Sequence, residues 1–123
     1  MEALSVDFDG FYHKEFLEYI LKFNGLLNSS KYFEAHELLE ELWKKSKKRQ
    51  GQVATTKALK GLINASIAFE HIKRAKPKSQ TRARATFDAY KKYRVYIPES
   101  DFRDILMLST VEIERISERL QLN

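Results

Sequence analysis

The side chains best suited to chemistry are two histidines, two glutamates and an asparagine in the middle of the chain. His36, Glu37 and Glu40 lie in one helical segment, and Asn64 and His71 lie in the next. On a wheel of about 100° per residue, Glu40 lies about 40° from His36, and Glu37 about 100° from it. His36 and Glu40 therefore share the apolar face of their segment, and Glu37 borders it. If the two segments pack as antiparallel helices, we expect one partly buried cluster.

Such a cluster supports three interpretations, which the sequence leaves open. A carboxylate beside an imidazole is an acid–base pair whose proton affinity depends on burial. His36, Glu40 and His71 are also candidate ligands of a divalent metal, because a His and a Glu four positions apart on a helix point to the same side. The third interpretation is a structural hydrogen-bond network without a reaction. The segment is not a zincin motif, since Glu40 stands where that motif has its second His.

The residues around this cluster resemble a known family. The run from Tyr32 to Trp43, with its Glu-Ala-His-Glu followed by Leu-Glu and a Trp, is similar to the signature of the domain-of-unknown-function 309 family. The family's second block is Gly-Leu-Ile-Gln followed by small and apolar residues and a His. It is similar to residues 61–71, with Asn64 where the family usually has Gln. The resemblance covers about residues 15–95. It implies a helical bundle that carries the His and Glu side chains, and it implies no reaction.

The elements that must position these residues are helices. Apolar periodicity and chain breaks predict an all-α, single-domain bundle of about five helices with short connections over residues 1–123. The predicted helices cover about residues 11–27, 31–48, 53–75, 79–93 and 101–120. Ser30 is expected to cap the second helix, and Ser100 or Asp101 the fifth. The third helix is apolar on several sides and has a stripe of small residues that includes Gly61, so we expect it at the centre with a neighbouring backbone close to the stripe.

The composition supports this architecture and narrows the function. With 4 Gly and 2 Pro among 123 residues, the chain has little material for the turns of a β-sandwich or barrel. It has no Cys, which excludes a disulfide framework, a thiolate zinc site and a cysteine nucleophile. No apolar run approaches the ~20 residues that span a bilayer. Because the amino terminus has no signal-peptide pattern either, we expect a cytoplasmic protein without a membrane partner.

The net charge of +5 is unevenly distributed. Residues 1–43 carry 3 Lys and 9 acidic residues, residues 44–94 carry 16 basic and 2 acidic residues, and residues 95–123 carry 3 Arg and 6 acidic residues. One interpretation is that segment 44–94 contacts a nucleic-acid backbone, with Tyr90, Tyr93 and Tyr96 as stacking partners, but no reader motif accompanies it. The alternative is that acidic and basic segments pair with each other, within one chain or across a homodimer.

Overall fold

Five α-helices make up most of the chain in the computed structural model, which describes residues 2–122, with side chains from Tyr12 to Leu122. They are α1 (Glu2–Asn28), α2 (Tyr32–Lys47), α3 (Val53–Arg74), α4 (Ser79–Tyr93) and α5 (Arg103–Arg119). A short 3-10 helix, Arg94–Glu99, connects α4 to α5, and no strand occurs within residues 2–122. The prediction of an all-α bundle with short connections is confirmed.

The start of α1 is where the helix boundaries differ most from the predicted ones. Helix α1 begins at Glu2, well before the expected start near residue 11. The intervening residues contain no Pro, and Gly10 disfavours a helix by only about 1 kcal/mol. The helix therefore continues through them. The turn expected at residues 96–100 belongs mostly to the 3-10 helix, which contains Pro98.

The connection between α1 and α2 is capped differently from the prediction. Ser30 adopts the left-handed conformation, with φ of 57°. The Lys31 N–H donates to the Leu26 carbonyl, and the Ser30 N–H donates to the Leu27 carbonyl. This is a Schellman motif, in which a left-handed residue satisfies the last carbonyl groups of a helix. The prediction that Ser30 caps α2 is wrong, because Ser30 closes α1 and Lys31 occupies the capping position without a side-chain hydrogen bond.

Helix α3 lies at the centre of the bundle. It packs against α2, α4, the 3-10 helix and α5, and Leu59, Leu62 and Phe69 on it are fully buried. Gly61 marks its close approach to α4, since a Cβ added to Gly61 would lie 2.9 Å from the Cβ of Tyr93. The predicted central position and the close neighbouring backbone at the small-residue stripe are both confirmed.

Helices α2 and α3 run antiparallel. At one end of the pair, Ser46 Oγ lies 2.7 Å from Thr56 Oγ1. At the other end, the rings of Tyr32 and Phe69 meet edge to face with their centroids 5.5 Å apart. The start of α2 therefore lies beside the end of α3, which is the arrangement that brings the predicted site residues of the two helices toward each other.

A shared carboxylate joins α5 to the end of α4. Glu114 Oε2 accepts hydrogen bonds from the Tyr90 hydroxyl at 2.6 Å and from Arg94 Nη1 at 2.8 Å. Tyr90 is fully buried. Burial, and then its hydrogen bond to Glu114, raise the pKa of the Tyr90 phenol above its ordinary value. Glu114 thus holds the neutral phenol of Tyr90 and the guanidinium of Arg94 together where α5 meets the end of α4.

Candidate functional site

A surface cavity of about 300 Å³ lies between the start of α2, the end of α3 and the start of α4. His36 lines it from α2, and His71 lines it from α3. The other lining residues are Phe33, Ile67, Glu70, Arg74, Lys76, Ser79 and Arg82. The antiparallel packing of α2 and α3 therefore gathers both central histidines around one space.

His36 is held by contacts within its own helix. Its Nδ1 lies 2.9 Å from the Phe33 carbonyl oxygen, and its Nε2 lies 3.0 Å from Glu40 Oε1. The Phe33 carbonyl and the Glu40 carboxylate both accept hydrogen bonds, so the ring donates from Nδ1 to the first, from Nε2 to the second, or to both, according to which nitrogens carry a proton. His36 is therefore held beside the cavity by two acceptors of its own helix.

The remaining predicted side chains do not line the cavity. Glu40 contacts His36, but its side chain is 44% exposed and lies outside the lining. Glu37 is exposed and lines a separate depression between α1 and α2, since about 100° of helix rotation turns it away from His36. Asn64 is half-buried on α3, about two turns before His71. The structure thus joins His36 to Glu40 and places it with His71 in one cavity, while Glu37 and Asn64 lie apart.

The donors available to a metal ion at this site are few. Among the side chains that the structure describes, no group of three or more His, Asp or Glu is arranged to hold a metal ion. Of the three predicted ligands, His36 and Glu40 are in contact, and His71 lines the cavity without completing such a group.

Three cations at the cavity were predicted only as members of the general basic segment. Arg74, Lys76 and Arg82 line it together with a single carboxylate, Glu70. Arg74 Nε donates to Glu70 Oε2 at 2.7 Å, so this carboxylate is already paired. The cavity therefore has an excess of positive charge. The sequence signal was the basic composition of the segment, which does not reveal where the side chains converge.

A tight turn between α3 and α4 brings these cations together. Ala75 and Lys78 both have left-handed backbones, with φ of 51° and 68°. The Lys76 N–H donates to Ser79 Oγ at 2.8 Å, which fixes the turn from within. Because the chain reverses here, Lys76 in the turn and Arg82 in the first turns of α4 both reach the end of α3.

A row of half-buried side chains continues from the cavity along the seam between α2 and α3. Trp43 lies about two turns after His36 on α2. Lys47 Nζ is 4.3 Å and Lys60 Nζ is 5.0 Å from the centroid of its ring. Cations at such distances are attracted to the face of an indole. Part of the basic segment is therefore engaged with Trp43.

The aromatic residues expected to stack on nucleic-acid bases are largely covered. Tyr90 is fully buried, so the expectation that it stacks on a base is wrong. Tyr93 and Tyr96 are half-buried, with Lys92 over the first ring and Lys57 over the second.

Ion pairs connect the acidic terminal segments to the basic middle segment. Lys45 Nζ lies 3.0 Å from Glu15 Oε1, and Arg94 Nη1 lies 2.8 Å from Glu114 Oε2. Pairing within one chain, which was one of the two uses expected for the uneven charge, therefore occurs at the α1–α2 and α4–α5 contacts.

The fold and the cavity together define a small all-α protein with a basic, histidine-lined site between three helices. The family model described as Domain of unknown function (DUF309) matches residues 20–83, which is just over half of the chain, and the chain belongs to this family. The matched residues include both motifs, Tyr32–Trp43 and residues 61–71, and lie within the span of the resemblance seen in the sequence. No curated protein and no solved structure gives a significant match.

No helix within residues 2–122 combines the length and the apolar character that are needed to cross a bilayer.

Proposed function

We propose that the protein binds a small anionic ligand in the cavity between α2, α3 and α4. The observation that carries this proposal is the excess of cations: Arg74, Lys76 and Arg82 line the cavity, and Glu70, its carboxylate, is paired with Arg74. His36 and His71 add hydrogen-bonding groups from two walls. The volume of about 300 Å³ lies at the small end of the range for ligand pockets.

The lining favours an anion attached to an apolar body. Arg82 can bind a carboxylate or a phosphate through two parallel hydrogen bonds. Phe33 and Ile67 supply the apolar surface of the cavity, and Phe33 is 43% exposed, which leaves part of its ring free to pack against a planar group. An aryl phosphate or aryl carboxylate combines both properties.

The chain's three histidines provide a direct test. In a titration with phenyl phosphate followed by the imidazole NMR signals, we expect the signals of His36 and His71 to move. His13 should not respond, because it is exposed beside Phe102, near the opposite end of α2, with ring centroids 5.5 Å apart. Unchanged signals at His36 and His71, or equal movement of all three, would contradict the proposal.

A matched pair of arginine variants tests the location of the anion. Arg82 lines the cavity, whereas Arg84 is exposed on the same helix and does not line it. We expect Arg82→Gln to weaken phenyl phosphate binding about tenfold, as the loss of one charge-assisted hydrogen bond implies. Arg84→Gln should leave the affinity within about twofold. Equal effects of the two variants in calorimetric titrations would show that only the overall charge matters.

A second candidate function is an acid–base or metal-dependent reaction at His36 and Glu40. It is favoured by the 3.0 Å contact between His36 Nε2 and Glu40 Oε1. Elemental analysis of the purified protein and a Zn²⁺ titration test the metal-dependent form. Stoichiometric binding that is lost in His36→Ala and in His71→Ala but kept in His13→Ala supports it, and absence of binding to the unmodified protein contradicts it.

A nucleic-acid partner for the basic segment 44–94 stays a prediction. What supports it is the number of exposed cations, such as Lys44, Lys48 and Arg84. Binding of a random single-stranded oligonucleotide at low salt, weakening steeply as salt increases, is the expected result. If no binding occurs at low salt, this partner is excluded.

Self-association and a cytoplasmic location also stay predictions. The exposed apolar side chains Met107, Leu108 and Val111 lie close together along α5 and support a homodimer through this helix. Sedimentation over a range of concentrations, with Val111→Glu as the disrupting variant, tests the homodimer. Fractionation of cells that express the tagged protein tests the location.

A further inference from the structure

A long groove lies between α1 and α2, away from the cavity. It consists of two adjoining depressions of about 650 and 600 Å³. Lys22, Leu38 and Glu41 line both depressions, so the two are continuous. The groove runs along the paired helices from the level of Glu15 to the level of Ser29, a distance of about 20 Å at 1.5 Å per residue. This length matches about four turns of a docked helix.

The floor of the groove is apolar. Leu21 on α1 is 54% exposed, and Leu26 and Leu38 are half-buried along the same groove. An exposed leucine in a concave surface between two helices leaves apolar area in contact with water. Burying that area would contribute to binding in proportion to its size.

The rim of the groove is acidic. Its charged residues are five glutamates and two lysines: Glu15, Glu18, Glu34, Glu37, Glu41, Lys22 and Lys31. Glu34, Glu37 and Glu41 follow one another at intervals of three and four residues, so they form a stripe along one side of α2. Glu15 is paired with Lys45, and Glu41 accepts a hydrogen bond from Tyr19. Glu18, Glu34 and Glu37 are exposed.

We propose that this groove binds a basic amphipathic helix of another protein. The charge of the rim selects a cationic partner, and the leucine floor selects one that carries an apolar stripe at helical spacing. Such a helix would lie along α1 and α2 as a third helix, with its Lys or Arg residues beside the glutamates. In this proposal Glu37 binds the partner at the rim of the groove, whereas it does not line the histidine cavity.

A second copy of the chain fits the groove less well. Helices α3 and α4 each carry four basic residues and one acidic residue. Helix α3 lies at the centre of the bundle, and the large side chains Phe87 and Tyr90 of α4 are buried, so the outer face of α4 has no large aliphatic side chain to fill the leucine floor. The exposed apolar residues of α5 lie beside carboxylates, as Leu108 does beside Asp104 and Glu112 at four-residue spacing. An acidic face would be repelled by the rim.

The test uses two synthetic peptides of about 14 residues with the same helical pattern, one of Leu and Lys and one of Leu and Glu. We expect the Leu/Lys peptide to bind the full chain and to shift backbone amide NMR signals of residues along the groove, between residues 15 and 41. Binding should weaken as salt increases, and the Leu/Glu peptide should not bind. Absence of binding, equal binding of both peptides, or shifts centred on α4 and α5 would overturn the proposal.

Variants separate the roles of rim and floor. The double change Glu34→Gln and Glu37→Gln should weaken Leu/Lys binding about fivefold, as two exposed ion pairs imply. Its matched control is Glu99→Gln with Glu118→Gln, which removes the same charge at exposed positions elsewhere and should leave the affinity unchanged. Leu21→Ala should weaken binding about tenfold without affecting the fold, since Leu21 is exposed. If groove signals instead change with protein concentration alone, a second copy occupies the groove and the proposal fails.

Discussion

At the scale of single residues, Ala75 ends α3 in a conformation that its own side chain disfavours. Its φ of 51° lies in the left-handed region, where a Cβ raises the energy by about 1–2 kcal/mol. Its N–H donates to the Ile72 carbonyl at 3.2 Å, and the turn that follows carries Lys76 to the cavity. This unfavourable conformation of Ala75 reverses the chain at the end of α3, and the cavity depends on that reversal.

We therefore expect Ala75→Gly to raise the free energy of unfolding by about 1 kcal/mol, because glycine adopts this conformation without the steric penalty. Ala85→Gly is the matched control. Ala85 is exposed in the interior of α4, where the same change should lower the free energy of unfolding by about 1 kcal/mol. Urea unfolding of both variants measures the two changes, and a shift of the same sign in each would show that backbone conformation at Ala75 is not the cause.

The buried phenol of Tyr90 makes stability depend on alkaline pH. Its pKa in the folded protein is raised above 10.0 by burial and by Glu114. The unfolded chain releases this proton above about pH 10 while the folded protein keeps it, so the free energy of unfolding falls as pH increases beyond that point. Tyr90→Phe should lower the free energy of unfolding by about 1 kcal/mol at neutral pH. Its free energy of unfolding should then fall less steeply at alkaline pH than that of the unmodified protein.

Unfolding titrations at about pH 8 and about pH 11 measure this difference. Tyr93→Phe is the control, because that side chain is half-buried and takes no part in the hydrogen bonds that Glu114 accepts. If Tyr90→Phe declines as steeply as the control, the phenol does not contribute to the pH dependence.

The relation between His36 and Glu40 was predictable because both lie in one helix, where spacing alone decides direction. The contribution of Arg82 was not predictable, since it depends on two left-handed residues in a turn without glycine. Ser30 shows the same limit: its sequence context fits an N-cap, but the preceding helix requires it for its own end. Spacing within one helix can be predicted from the sequence. Which of two helices a residue between them caps depends on the backbone conformation of the whole connection.

At the scale of helices, Gly61 sets the distance between α3 and α4. A Cβ at this position would lie 2.9 Å from Tyr93 Cβ and 3.4 Å from the Tyr90 carbonyl oxygen. Neither atom is the end of a flexible side chain, so a larger residue must displace α4 itself. This close packing was predictable from the stripe of small residues, because small side chains repeated along one side of a helix leave space only for a neighbouring backbone.

We expect Gly61→Ala to lower the free energy of unfolding by about 1–3 kcal/mol, although alanine is the better helix former. Gly25→Ala supplies the comparison. Gly25 is exposed in α1 with no atom within 4 Å of an added Cβ, so the same change there should stabilise the protein by about 1 kcal/mol. Thermal unfolding distinguishes the two sites, and stabilisation by Gly61→Ala would show that α4 can move away without loss.

At the scale of the whole molecule, α5 completes the core although it lies beyond the family match over residues 20–83. Ile105, Leu106, Ile113 and Ile116 of this helix are all buried. Each contributes about 1.5–3 kcal/mol by burial, and a domain of this kind has a total stability of only about 5–15 kcal/mol.

A chain that ends at residue 102 should therefore fail to unfold cooperatively and should bind a hydrophobic dye. Adding a peptide of residues 103–123 should restore helical circular dichroism and a cooperative transition. A truncated chain that melts as the full chain does would show that residues 2–102 form the folding unit alone.

Trp43 is the chain's one tryptophan, and it is held on the seam between α2 and α3 with an ammonium group from each helix near its ring. If α2 and α3 separate, Lys60 on α3 moves away from the indole, whereas Lys47, which lies on α2 with Trp43, stays beside it. The intrinsic fluorescence of Trp43 therefore reports, without an added label, how closely α2 and α3 pack. These are the two helices that carry the cavity histidines.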